Sequence, residues 1–294
     1  MNEPNPILSV CIPTFNSAEY IKDAIESILT QTFNNFELII VDNNSTDNTE
    51  EIVKTFHDER ISYYKNALNY GALENLNKCL TYAKGNFIKF LCADDVLLKY
   101  TIEKQYQALN DLKNVGIVTC DIIVTDRYLN EEARFNYFPG LAKGKDVADS
   151  CLNNLSNYIG GPSSIMIRKD IIGETKFDFN HKCVGDLKFS IELLLKSNVD
   201  YFNIDIPGCL YRRHNKTDTL TACTKTNQSN DFYNLLSEFN AFTHLNCGML
   251  LTKPINHKKK FKLLKWLLKN IFSVRLFYKS FSTYIHGRKL GIQK

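Results

Sequence analysis

The feature that most constrains this chain is an alternation in its first hundred residues. Four short runs, LSVCI (8–12), ELIIV (37–41), ISYYK (61–65) and NFIKFL (86–91), are separated by segments whose apolar residues recur at helical spacing. Ile21, Ile25, Ile28 and Leu29 mark one helix, Ile52, Val53 and Phe56 a second, and Leu73, Leu76, Leu80 and Ala83 a third. Short apolar runs without polar alternation are buried on both faces, as parallel strands are. Repeated strand–helix–strand units with right-handed crossovers build one sheet covered by helices. Asn16 is positioned to cap the first helix with Glu19 reaching back, and Gly85 to end the third.

In such sheets ligands gather beyond the carboxyl ends of the strands. The polar clusters of this sequence fall there: Thr14 and Asn16, the loop DNNSTDNT from Asp42, Asn69, and the pair Asp94 and Asp95. The second half is less regular. VGIVTCDIIVTD (115–126) offers one or two strands, and 127–158 reads as a long loop with short helices. SSIMIR is a strand after the turn Gly160-Gly161-Pro162, residues 189–196 are helical, VDYFNI and CLYRRH are two strands, and helix dominates from about Asn230.

Each polar cluster carries a chemical and a bland reading. Two adjacent carboxylates after a buried strand repel unless a cation, a hydrogen bond or a proton relieves them. Asp94 and Asp95 therefore suit a hard divalent ion that also takes substrate phosphates, or else a solvated turn. Asp42 ends a strand where a carboxylate can accept from a base or ribose, or simply opens a capped loop. Asp186, after Gly185 and before LKFSIELLLK, is a general base if it faces a substrate hydroxyl, or an N-cap. Arg212, Arg213 and His214 close a strand with groups for a diphosphate or a metal, or with an ordinary exposed end. No G-x-x-x-x-G-K-[ST], G-x-G-x-x-G or G-x-S-x-G occurs. That argues against nucleoside triphosphatase, simple dehydrogenase and α/β-hydrolase chemistry.

Together these residues resemble the family 2 glycosyltransferases of GT-A fold. The resemblance runs through SVCIPTFNSAEYIKDAIESILTQTFNNFELIIVDNNSTDNT and NYGALENLNKCLTYAKGNFIKFLCADDVL, then IGGPSSIMIRKD, GDLKFSIELLLK and LYRRHNKTDT. It implies an α/β chain with a mostly parallel central sheet flanked by helices. Residues 1–98 would form the nucleotide-sugar half, 99–215 the acceptor half and 216–294 a C-terminal helical extension. Pro13, Thr14, Phe15 and Asn16 would line the nucleobase pocket, with Asp42 and Asn44 on the base and Asn69 and Gly71 forming another wall. In Ala93-Asp94-Asp95, Asp94 would ligate a Mn²⁺ or Mg²⁺ ion on the diphosphate and Asp95 support it or face the donor sugar. Arg212 and His214 would lie at the diphosphate, His214 as a second metal ligand, and Asp186 would deprotonate the acceptor.

The activity implied is inverting, metal-dependent transfer from a UDP-sugar to a glycan hydroxyl, giving a β-linkage from an α-linked donor. A sugar nucleotidyltransferase would want a Gly-rich, cationic loop where PTFNSAEY stands; a non-catalytic nucleotide-sugar-binding module is the other alternative. Two departures stand out: Cys92 replaces the acid that in the family touches ribose, and Gly185 replaces a Glu before the catalytic acid.

Composition bears on location and partners. Twelve of the 36 basic residues follow residue 252 with no acidic residue among them, leaving 24 basic against 32 acidic in the rest. Within that tail Phe261, Leu264, Leu268, Ile271 and Phe272 share a helical face, which suits a helix lying in a membrane interface. Peripheral membrane contact through 253–294 and a lipid-linked acceptor are the expectation; no motif points to nucleic acid. No secretory leader or apolar span is read, and nine scattered cysteines without a C-x-x-C pair suit reduced thiols. These place the chain in the cytoplasm, peripheral on the inner face of the membrane.

Overall fold

The computed structural model describes residues 6–154 and 156–215, together with 231, 234, 235, 238 and 239. Two compact units are present, Met1–Ala222 and Cys223–Lys294. The basic segment 253–294 and most of the helix expected after Asn230 lie outside the described residues. The site-bearing elements all belong to the first unit.

Its order is β1 (Leu8–Thr14), α1 (Ile21–Leu29), β2 (Phe36–Asp42), α2 (Thr49–Lys54), β3 (Ile61–Lys65), α3 (Ala72–Tyr82), β4 (Phe87–Phe90), β5 (Val96–Leu97), α4 (Thr101–Asp111), β6 (Val115–Thr125), β7 (Glu131–Phe135), β8 (Leu141–Lys143), α5 (Gly144–Asn154), β9 (Ile165–Arg168), α6 (Gly185–Lys196) and β10 (Asp200–Arg212). The strands form one sheet, β3-β2-β1-β4-β9-β6-β10-β5, with β7 on β6 and β8 on β10. β3, β2, β1 and β4 are parallel throughout, as the alternation of the first hundred residues requires. Beyond β4 the sheet is mixed: β9 runs antiparallel between β4 and β6, while β6 and β10 are parallel.

β1 sits between β2 and β4, and its Leu8, Val10, Cys11 and Ile12 have no exposure. α1 covers the sheet with Ile21, Ala24, Ile25 and Ile28, all fully buried. Each such isoleucine contributes about 1.5–3 kcal/mol of burial. Ser9 is the polar exception inside β1. Its Oγ donates to Glu37 Oε1 (2.6 Å) and accepts from Gly85 N–H (2.8 Å), so no buried polar atom is left open there.

Several local expectations are corrected. α1 is entered through Tyr20 without a side-chain cap, because Asn16 turns away in a left-handed conformation (φ 49°) to accept from Thr46 N–H. α3 ends at Tyr82, and Gly85 serves close packing instead: a Cβ there would fall 2.5 Å from the Ser9 nitrogen. Residues 127–158 hold two strands and an eleven-residue helix, α5. The strands were hidden by their charge, EEARF being an exposed edge; the helix buries Val147, Ala148, Cys151 and Leu152. VDYFNI and CLYRRH belong to one thirteen-residue strand, β10, whose register shifts between Asn203 and Pro207 around Asp205 (φ 51°). Proline donates no ladder bond, which is why the sequence looks broken there.

Candidate active site

The ends of β1 and β2 lie side by side, Thr14 opposite Asp42. The loops leaving them are laced together by side chains. Asn16 N–H donates to Ser45 Oγ (2.8 Å), Ser17 N–H to Thr49 Oγ1 (2.9 Å) and Ala18 N–H to Asp47 Oδ2 (3.0 Å). Thr46 N–H returns a bond to Asn16 Oδ1 (2.8 Å). Pro13 is half-buried, Phe15 is 44% exposed and Asn16 is exposed, so this turn presents a face to solvent. Beneath it Thr14 Oγ1 is buried without a hydrogen-bond partner among the described residues.

Asp42 has no exposure. Its Oδ1 accepts from Ser45 N–H (2.7 Å) and its Oδ2 from the Tyr63 hydroxyl (2.6 Å). Burial and that carboxylate push the Tyr63 hydroxyl well above its ordinary pKa. The expected base-holding acid is thus enclosed by its own loop, in which Asn44 is half-buried at φ 67°.

An asparagine network, missed by sequence reasoning, fixes the adjoining wall. Asn43 Nδ2 donates to Asn69 Oδ1 (2.7 Å) and Gly71 O (3.2 Å), while its Oδ1 accepts from Asn66 Nδ2 (3.1 Å) and Tyr70 N–H (3.0 Å). Asn66 continues to Asn75 Oδ1 (3.0 Å), and Asn75 Nδ2 reaches Val41 O (2.8 Å). Asn69 and Gly71 are thereby tied through Asn43 to the network that joins α3 and the end of β2.

The turn after β4 carries Cys92, Ala93, Asp94 and Asp95. Ala93 is buried, and Asp94 is partly open, with its Oδ2 hydrogen-bonded to His214 Nε2 at 2.9 Å. Tyr20 packs at a tilt against the His214 ring, the centroids 4.6 Å apart. Asp95 is buried instead. Its Oδ2 accepts from Ser163 Oγ (2.5 Å) and its Oδ1 from Arg212 N–H (3.0 Å). Burial, and then the Asp94 charge, raise the Asp95 carboxyl well above the usual range. Both its oxygens bind protein, so Asp95 braces the turn rather than facing a donor sugar. The Arg212 guanidinium is likewise engaged: Nη2 donates to Asp23 Oδ2 (2.7 Å), and the group lies 4.7 Å from the Tyr20 ring centroid.

Asp186 occupies the first turn of α6 and is half-buried. Burial raises its pKa, partly offset by backbone N–H groups of Leu187 and of Asp186 itself. Gly185 before it packs closely on α3, where a Cβ would fall 2.5 Å from Leu73 Cδ1. A side chain there would have to displace the Leu73 side chain of α3. The segment leading to α6 is anchored by Asn77, which exchanges two hydrogen bonds with the Phe177 backbone (2.8 and 2.9 Å). Phe177 also stacks on Phe189 at 3.9 Å and meets Phe90 of β4 edge-on. Asp186 is thereby held at the same end of the sheet as the Cys92 turn. Its charge contributes, after burial, Asp95 and Asp94, to raising the Cys92 thiol well above its ordinary pKa.

These donors can be tested for a cation. Ligand atoms of Cys92, Asp94 and Asp95 lie within 4.8 Å of one another. Asp95 is satisfied and Cys92 is held as a thiol, so Asp94 and His214 are the pair that fits. The carboxylate suits Mn²⁺ or Mg²⁺ with phosphate oxygens completing the shell, and the imidazole favours Mn²⁺ of the two.

The family model for glycosyl transferase family 2 matches residues 9–175. The chain belongs to glycosyl transferase family 2. The UDP-Glc:alpha-D-GlcNAc-diphosphoundecaprenol beta-1,3-glucosyltransferase WfgD of Escherichia coli is 30% identical over 209 residues, covering 70% of this chain and 77% of that one. S. aureus TarS 1-349 in complex with UDP-GlcNAc shares the fold at a TM-score of 0.63 and 17% identity, over 84% of this chain and 76% of that one. The mannosyltransferase PcManGT of Pyrobaculum calidifontis, in complex with GDP-Man and Mn²⁺, aligns at 0.58 and 16%, over 99% and 82%. This family 2 glycosyltransferase therefore has the GT-A α/β architecture. The family match stops before α6 and so does not reach Asp186, Arg212 or His214.

Proposed function

We propose that this glycosyltransferase is an inverting, metal-dependent enzyme that moves a hexose from a UDP-sugar to a hydroxyl of a lipid-linked glycan. One observation carries the reading. A carboxylate and an imidazole, Asp94 and His214, pair at 2.9 Å at the strand ends where the half-buried Asp186 has its pKa raised. The first pair suits a diphosphate-bound cation; the second feature suits a base.

The base and ribose would lie against Pro13, Thr14, Phe15 and Asn16, between the loop that starts at Asp42 and the wall of Asn69 and Gly71. Beneath that turn Thr14 Oγ1 is buried without a partner among the described residues. Asp42 sets this loop, and direct contact with a base would require its bond to Ser45 or Tyr63 to open. Asp94 and His214 would hold the divalent ion. When bound, that ion supplies positive charge at the departing diphosphate. Asp186 takes the proton from the acceptor hydroxyl as its oxygen attacks the anomeric carbon from the face opposite the diphosphate. A carboxylate with a raised pKa is a stronger base, so burial of Asp186 serves this step. One displacement inverts the anomeric centre.

The acceptor class follows from the relative that acts on a diphosphoundecaprenol-linked sugar and from the basic, amphipathic stretch 253–294. That stretch would hold the protein at an anionic membrane surface on the cytoplasmic side, each cation adding about 1 kcal/mol. Binding to anionic vesicles that disappears in high salt, with none to neutral vesicles, is the expected result.

The deciding experiment measures UDP and GDP release from a panel of UDP-sugars and GDP-Man, with Mn²⁺ or EDTA and a GlcNAc-diphospholipid acceptor. Release of UDP that needs metal and acceptor, with a β-linked product by NMR, is expected. Diphosphate release when UTP and a sugar 1-phosphate replace the UDP-sugar would mean a nucleotidyltransferase, and nucleotide binding without turnover a binding module. GDP release alone would overturn the uridine assignment.

A further inference from the structure

The turn bearing Asp94 is held from a distance by one hydroxyl. Ser163 is buried in the GGPSS segment ahead of β9, 68 residues from Asp95 in the chain. Its Oγ donates to Asp95 Oδ2 (2.5 Å) and accepts from Cys92 N–H (2.9 Å), so a single atom ties both ends of the turn 92–95. The backbone closes the same turn, Asp95 N–H donating to Cys92 O (3.0 Å). Ser163 is itself fixed from below: its carbonyl accepts from Lys89 Nζ (2.7 Å), a fully buried lysine of β4. Asp95, steadied by Ser163, gives its other oxygen to Arg212 N–H, two residues before His214.

We propose that Ser163 is a positioning residue that sets the reach between Asp94 and His214. It touches neither. It fixes the turn that carries the first and, through Asp95, the strand end that carries the second. The inference rests on the reading of Asp94 and His214 as the diphosphate-side metal pair. Outer partners of this kind, when removed, weaken metal affinity by about 10- to 100-fold.

The test compares wild type with Ser163→Ala and Ser163→Thr, using UDP as the probe and calorimetry with and without Mn²⁺. Threonine keeps the hydroxyl. In Ser163→Ala, the strengthening of UDP binding by Mn²⁺ should fall by about tenfold or more while metal-free UDP affinity is unchanged, and Ser163→Thr should restore it. Should the alanine variant fail to fold, Ser163→Cys makes the same comparison with a weaker hydrogen-bonding group. Full Mn²⁺ strengthening in the alanine or cysteine variant overturns the proposal. So does equal loss of UDP binding with and without metal that threonine does not repair, because that is collapse rather than positioning. A wild type whose UDP binding ignores Mn²⁺ overturns the metal-pair reading itself, and this inference with it.

Discussion

The loops at the ends of β1 and β2 and the groups at Asp94, His214 and Asp186 border the same strand ends, yet they are built in opposite ways. In the loops nearly every polar side chain is bonded to a neighbouring backbone. Asn16, Ser45, Asp47 and Thr49 cross-link two turns, and Asn43 alone serves four partners. Asp94 and His214 pair with each other, and Asp186 with the first N–H groups of its own helix. A pocket that is shaped before its ligand arrives avoids ordering costs on binding. Groups that exchange a proton or accept a ligand act through ionisable atoms instead. The two regions should therefore fail differently when mutated: one in chemistry, the other in stability.

The largest effect is expected at Asp186. Asp186→Asn removes the base, so kcat should fall by about 10²- to 10⁴-fold with UDP binding unchanged. Its stability should rise. The folded-state pKa of Asp186 is raised, so the folded protein binds that proton more tightly than the unfolded chain, and ionisation destabilises the fold as pH climbs through the raised value. At neutral pH asparagine removes that penalty, and a higher Tm than wild type is the outcome to look for. The same sign governs activity. The acid limb of the kcat profile should lie above the ordinary aspartate range and be absent from the residual rate of Asp186→Asn. A limb at the usual aspartate pKa would sink the assignment.

His214→Ala comes next. It should lower kcat/KM by about 10²-fold at fixed Mn²⁺, and recover part of that as Mn²⁺ is raised. A loss that ignores Mn²⁺ concentration would separate His214 from the metal and leave it as a packing partner of Tyr20.

How much could be read in advance follows the same divide. The run from β1 to β4 was legible because its contacts are local: each strand is followed by the helix that covers it, and the polar residues that cross-link the loops lie about thirty positions apart. The brace around Asp95 was not, because Ser163 and Arg212 lie 68 and 117 residues away, and a serine in a Gly-Pro turn carries no sign of its partner. Ser27 and Gln31 were passed over likewise. In the sequence Ser27 is a polar interruption in an apolar helix and Gln31 a polar residue just past its end; in the fold Ser27 accepts from Leu97 N–H, and Gln31 joins Leu98 O to Ile102 N–H. Gly185 looked like a defect in a catalytic motif; in the fold it packs closely against the Leu73 side chain of α3.

Asn43→Ala probes the cross-linked side. It strips partners from Asn69, Asn66 and Tyr70 N–H at once. Unsatisfied groups cost about 1–3 kcal/mol each when water cannot replace the partner; with solvent reaching Asn69, about 2 kcal/mol overall is expected. For a chain of this size that is a fall in Tm of roughly 4–8 °C. kcat at saturating donor should change far less than in Asp186→Asn. A variant as stable as wild type would show that the network is ornament on a loop fixed by other contacts.

The smallest effect tests where Asp42 belongs. Tyr63→Phe deletes the hydroxyl that donates to Asp42 Oδ2 and leaves the bond from Ser45 N–H in place. Tyr63 is only half-buried, so water can reach the vacated position, and a loss of about 1 kcal/mol is expected. If Asp42 acts by setting the loop, the loosened loop binds UDP up to about fivefold more weakly, the equivalent of that energy. If Asp42 instead meets the base directly, removing a competitor for its Oδ2 should tighten UDP binding while the Tm still falls. We expect the weaker binding, because both Asp42 oxygens are already matched by donors from its own loop and from β3, and a fully buried carboxylate gains nothing by giving one up.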